Sequence, residues 1–202
     1  MAALKYFQSN GWQGTFSEGH LLRSIFRALI LPVTIDLQPF REFDPSCPYS
    51  HAIHYLVQMV VGGDKTAFRN PVNNHSPQHT LKLLHESIEN RLDGDASELQ
   101  RDFDDIASAI ATLHNPSPAP GTDIQYFLPA IPRSFWHDLL DLYASGNHDL
   151  HHGWPDLEIG NAHRTQLVEI KTTDNLSGFQ RAAIKQLEGL GMTCIVLRVI
   201  RT

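Results

Sequence analysis

The chain has 202 residues and a formal net charge of −6, long enough for an ordinary hydrophobic core. An acidic balance argues against a protein that coats nucleic acid by bulk electrostatics, and no apolar run is long enough to span a bilayer. Met1 to Tyr6 lacks the apolar stretch of a secretion signal, and Cys47 and Cys194 lie far apart with no CxxC partner. A reduced, cytoplasmic setting is therefore expected, without disulfides or a thiolate zinc site.

Ser17 reads as an N-cap with Glu18 in the first helical turn. Leu21, Leu22, Ile25, Phe26, Leu29 and Ile30 then recur at helical spacing until Pro32, which should stop the helix. Glu18 shares a face with Leu22, Ile25 and Leu29, which puts a carboxylate at the edge of the apolar stripe. Residues 34–50 read as loop, and His51 to Val61 as an apolar segment of either helix or strand. The Gly62-Gly63-Asp64-Lys65-Thr66 run departs from a phosphate-binding loop, because Asp64 stands where a glycine should precede Lys65. The pairs His51/His54 and His75/His79 have no third ligand, so surface or capping roles are expected.

Residues 77–92 and a stretch from about Ser97 to Leu113 are amphipathic helices, the first with Leu81, Leu84, Ile88 and Leu92 inward. Much of the acidic excess sits on them, between Glu86 and Asp105, and reads as a solvated face. Asn115 to Gly121 is a stiff connector inside one domain, since the part after it is too small to bury its own sheet. Phe135 to Tyr143 is another short helix, and Tyr126, Phe127, Phe135 and Trp136 read as packing residues. The whole chain, 1–202, is expected to be one domain: a helical part over 1–150, then a hairpin, helix and strand over 151–202.

The chemistry concentrates in that last part, where six Lys/Arg face five Asp/Glu, against ten and seventeen before it. Gly153 and Pro155 bracket a turn. Asp156 to Ile159 and Gln166 to Thr172 alternate with period two around the Gly160-Asn161 turn, which predicts an antiparallel hairpin. Leu157 and Ile159 fall on one face, Asp156 and Glu158 on the other, and Glu169 shares a side with Lys171. A carboxylate on a buried strand is expensive to desolvate unless a cation meets it. Hard oxygen ligands such as Asp156 and Glu169 suit Mg²⁺ or Mn²⁺. Ser177 then caps a helix to about Leu190 with Phe179, Ala183, Ile184 and Leu187 as its apolar positions. Met192 to Ile200 reads as a buried strand.

Pro155-Asp156 followed by Glu169-Ile170-Lys171 resembles the PD-(D/E)xK nuclease superfamily. The longer set Gly153-Trp154-Pro155-Asp156-Leu157, Val168 to Lys171, Asp174, Leu176-Ser177 and Gln180 is similar to its virus-type replication-repair (VRR-NUC) branch. More loosely, Gly11-Trp12-Gln13-Gly14, Glu18-Gly19-His20, Phe68-Arg69-Asn70 and Glu89-Asn90-Arg91-Leu92 resemble the nuclease module of Fanconi-anaemia-associated nucleases.

The resemblance implies an α/β fold of restriction-endonuclease type, a mixed sheet flanked by helices with additional N-terminal helices. It implies a metal-dependent deoxyribonuclease of DNA repair or replication acting on branched DNA, such as a 5′ flap or junction. Glu18, Asp156, Glu169 and the Ile170 carbonyl would hold Mg²⁺ or Mn²⁺, Lys171 would position water or stabilise the transition state, and Gln180 would orient Lys171 or touch a phosphate. Glu158 is left open between lining the site and facing solvent. Two other classes stay in view: a catalytically silent DNA- or partner-binding module, and a phosphodiesterase acting on RNA. A homodimer could cut both strands of a junction, although no seam is legible. Arg164, Arg181, Lys185, Arg198 and Arg201 are candidate DNA contacts by position alone.

Overall fold

A computed structural model describes residues 2–37, 48–61, 76–112, 120–146, 150, 152–161 and 163–199. In chain order the elements are α1 (Ala2–Ser9), β1 (Gln13–Phe16), α2 (His20–Leu37), α3 (Pro48–Val61), α4 (Pro77–Asp93), α5 (Ala96–Ala111), α6 (Arg133–Ser145), β2 (Leu157–Asn161), β3 (Arg164–Lys171), α7 (Gly178–Gly189) and β4 (Thr193–Arg198). Two 3-10 turns, Ile124–Tyr126 and Leu128–Ala130, lead into α6. The predicted phosphate-loop departure at 62–66, Phe68 to Asn70, His75, Cys47, most of the connector at 115–121 and Arg201 lie outside the described residues.

The architecture is α/β, with a four-stranded mixed sheet in the order β1-β2-β3-β4 flanked by helices. β1 and β3 each pair with β2 antiparallel, and β3 pairs with β4 in parallel through the α7 crossover. One face of the sheet carries Leu157, Ile159 and Val168, which pack with Ala3 of α1 and with Phe7, Trp12 and Phe16. The other face carries Leu167, which joins Ala183 and Leu187 of α7 to the main helical core. The period-two alternation of the hairpin thus separates two cores, as pleat geometry requires.

α2 is the hub. Its residues from Leu21 to Leu31 are buried on every side, and it packs against α3, α4 and α5. Pro32 does not stop it: the helix continues five residues to Leu37, so residues 34–37 are helical and not loop. A proline removes one amide donor, and the surrounding contacts outweigh that loss. The start also differs from expectation. The helix opens at His20, and Glu18 and Gly19 form a turn before it with φ of 48° and +81°.

The ambiguous segment after His51 is helical, and α3 starts earlier, at Pro48. α4 and α5 match expectation, capped by the Ser76 and Asp95 side chains. Phe127, Phe135 and Trp136 are fully buried, whereas Tyr126 is exposed. β4 is not the buried strand expected. Among the described residues it lies at the edge of the sheet, with Ile195 and Val196 exposed. α1 and β1 were not anticipated, since eight residues and a glycine-broken four give little periodicity to read.

Candidate active site

The β2–β3 register brings the motif acids together. Leu157 sits opposite Val168, so one step further along the antiparallel pair Asp156 comes beside Glu169. Residues opposed in this way project from the same face. The Asp156 carboxylate Oδ2 accepts the Ile170 amide hydrogen at 2.7 Å, which ties it across to β3. On β3 the next residue but one adds Lys171, and the Glu169 Oε1 lies 3.0 Å from Lys171 Nζ. The same oxygen accepts from Gln180 Nε2 at 2.5 Å. Lys171 also meets Asp174 Oδ2 at 3.1 Å.

Glu169 is 1% exposed, and its second oxygen, Oε2, is buried without a hydrogen-bond partner. Burial pushes its carboxyl pKa up. The Lys171 hydrogen bond opposes that rise, and the negative charge of Asp156 adds to it. Burial alone would lower the pKa of Lys171. Its bonds to Glu169 and Asp174 outweigh that, and the ammonium is held above its ordinary value. The result is a charged amine fixed between two carboxylates, with one carboxylate oxygen left unmatched in a dry place.

Gln180 reaches Glu169 because α7 begins in the right place. The Ser177 hydroxyl accepts from the Gln180 amide while Gln180 Oε1 accepts from the Ser177 amide, a reciprocal capping box. That leaves the Gln180 NH₂ free to turn to Glu169, so in this structure it orients the acid and not Lys171. Gly153, at φ +82°, lets the chain before Asp156 run against the start of α7. A Cβ there would stand 2.6 Å from the Phe179 carbonyl carbon.

Glu18 approaches through its backbone. The amides of Ser17 and Glu18 both donate to the Asp156 carbonyl, at 3.2 and 3.4 Å. Arg23 holds the turn from the other side, donating to the Glu18 carbonyl at 2.9 Å and the Gly19 carbonyl at 3.2 Å, with its guanidinium 5.4 Å from the Trp154 ring centre. The Glu18 side chain is exposed. Among the described residues no three His, Cys, Asp or Glu side chains converge closely enough to form a ready metal cage. The structure therefore joins Asp156, Glu169, Lys171 and Gln180, places the Ile170 backbone against Asp156, and sets Glu18 at the rim.

Glu158 neither faces solvent nor belongs to that cluster. It is fully buried and serves as the missing cap of α2. Its carboxylate accepts from the Leu21 and Leu22 amides at 3.0 and 2.9 Å and from the Ser17 hydroxyl. Ser17 thus acts through Glu158 and is not itself the side-chain cap. Burial raises the Glu158 pKa, and the Ser17 hydroxyl and the two amides offset part of that rise. Two further positioning residues, Arg23 and Trp154, escaped sequence reasoning as such. The Trp154 indole donates to the Leu150 carbonyl at 2.8 Å and covers Gly19. Their hydrogen bonds are local, but the contacts that tie them to the turn, Trp154 over Gly19 and Arg23 over the Trp154 ring, join distant parts of the chain, so no short-range signal marks either role.

Of the candidate DNA contacts, Arg164, Arg181, Lys185 and Arg198 are exposed. No helix among the described residues is long and apolar enough to cross a membrane. No protein-family model matches the chain, and no match is found among curated proteins.

Proposed function

We propose that the chain is a divalent-metal-dependent nuclease that hydrolyses phosphodiester bonds in DNA, structure-specific for branched forms such as a 5′ flap or junction. It fits the restriction-endonuclease-like, VRR-NUC type of core that its motif resembles. The observation that carries this reading is the pairing of Asp156 with a buried Glu169 whose Oε2 has no partner, beside a charged Lys171. A buried carboxylate oxygen without a donor is stabilised when a cation reaches it, and an all-oxygen donor set selects Mg²⁺ or Mn²⁺. Asp156 and Glu169 would hold the ion, with the Ile170 carbonyl and Glu18 as further donors at the rim. When bound, such an ion supplies an acidified water and a counter-charge for the phosphate.

The protein's own groups do the rest. Lys171, held charged by Glu169 and Asp174, presents an ammonium to a phosphate oxygen or to the attacking water. Gln180 keeps Glu169 Oε1 occupied, so Oε2 is the oxygen turned toward the ligand. Exposed cations at Arg164, Arg181, Lys185 and Arg198 offer contacts to the strand beyond the scissile bond in an otherwise acidic molecule.

The test is a cleavage panel of single-stranded, duplex, flap and junction DNA with matching RNA, in Mg²⁺, Mn²⁺ or EDTA, on wild type and Lys171→Ala. Wild type should cut DNA only with metal. The variant should fold normally, by circular dichroism, and lose at least about a hundredfold in rate, because groups acting as a unit fail together. Retained DNA binding without cutting would assign a silent binding module, and cutting confined to RNA would assign a ribonuclease.

A further inference from the structure

The inward stripe of α7 runs Phe179, Ala183, Leu187 at spacing four. Ala183 and Leu187 are fully buried, yet Phe179, expected to join them, is 65% exposed. A Cβ at neighbouring Gly178 would likewise meet nothing within 4 Å. Three observations place Phe179 beside the candidate site. Phe179 precedes Gln180, whose amide touches Glu169. Its backbone abuts Gly153, three residues before Asp156. The exposed His152 ring meets it edge-on, with centroids 6.0 Å apart. Arg181, also exposed, follows two positions on.

An uncovered aromatic face beside an anion-handling site matches a ligand that is charged at one atom group and flat and apolar at the next. A nucleotide has that chemistry, and base–aromatic stacking is indifferent to sequence. We propose that Phe179, edged by His152, is the stacking platform for the base adjoining the scissile phosphate, so that the strand enters the site unpaired at that position. This rests on the nuclease reading above and names the conformation of DNA the site takes.

The experiment measures KM and kcat of wild type, Phe179→Ala and Phe179→Tyr on a flap DNA carrying 2-aminopurine next to the cut position. Fluorescence quenching of the same DNA is followed on the full chain carrying Lys171→Ala, with and without Phe179→Ala. The expected result is a KM raised about tenfold in Phe179→Ala, recovery by Phe179→Tyr, and quenching that disappears with the ring. A Phe179→Ala enzyme with wild-type KM and undiminished quenching would overturn the platform while leaving the nuclease reading intact. Absence of any metal-dependent cutting or binding by wild type would overturn both. Self-association by sedimentation that Phe179→Ala abolishes, with KM unchanged, would assign the ring to a second copy and end the proposal.

Discussion

A Cβ added to Gly19, whose φ is +81°, would stand 2.2 Å from the Trp154 ring. Gly121 has nearly the same φ, +82°, but nothing lies within 4 Å of its missing Cβ. The two positions separate backbone strain from collision. Gly121→Ala should lower stability by about 1 kcal/mol, the left-handed penalty alone. Gly19→Ala should cost at least ~3 kcal/mol, since the indole must also move. Urea unfolding of both variants reads the difference, and equal losses would show that the Trp154 contact is unimportant. Gly19 also matters to the site, because it shapes the turn whose amides hold the Asp156 carbonyl. A glycine before an apolar helix is visible in the sequence; the ring that requires it, 135 residues later, is not.

At the scale of elements, α4 and α6 are joined by a polar seam. His85 Nδ1 lies 2.7 Å from His137 Nδ1, so one of the two must carry a hydrogen toward the other. On the outer sides, His85 Nε2 meets Asp141 at 3.0 Å and His137 Nε2 meets Glu89 at 2.5 Å. Arg133 reaches both Glu89 and Asp93. The His137 hydrogen bond, then Arg133, hold the Glu89 carboxyl below its ordinary pKa. An acid with a depressed folded pKa stabilises the fold above its unfolded value and loses that contribution as pH falls through the folded one. Urea midpoints should therefore separate wild type from Glu89→Gln at neutral pH and converge on acidification. A gap independent of pH would place the effect in packing. Amphipathic periodicity identified α4 and the core of α6, while the choice of α6 as the partner for His85 belongs to the packing. Element ends behaved the same way: Pro32 failed to stop α2 because that helix is enclosed, a circumstance its own residues do not announce.

For the whole molecule, the candidate site exists because a hairpin, the start of α7 and the turn before α2 meet. Glu169 couples that assembly to pH. Its pKa is raised, first by burial, so ionising it works against the metal-free fold. That stability should fall as pH rises past the ordinary carboxylate range. Metal needs the ionised form, so the stabilisation by Mn²⁺ should grow over the same range. At a hundredfold excess over Kd it should raise Tm by roughly 5–10 °C for a chain of this size. Thermal melts of wild type and Asp156→Asn across pH, with Mn²⁺ or EDTA, check this. An increment that persists in Asp156→Asn would remove Asp156 from the ion's ligands. What the sequence alone determined was local: period-two alternation set which residues of the hairpin share a face, and the Ser177–Gln180 spacing set the cap of α7. Only the tertiary structure decided that Glu158 caps α2, that Phe179 stays in water, and that β4 lies at an edge. Periodicity is a property of neighbouring residues, whereas burial is decided by whatever distant segment happens to cover them.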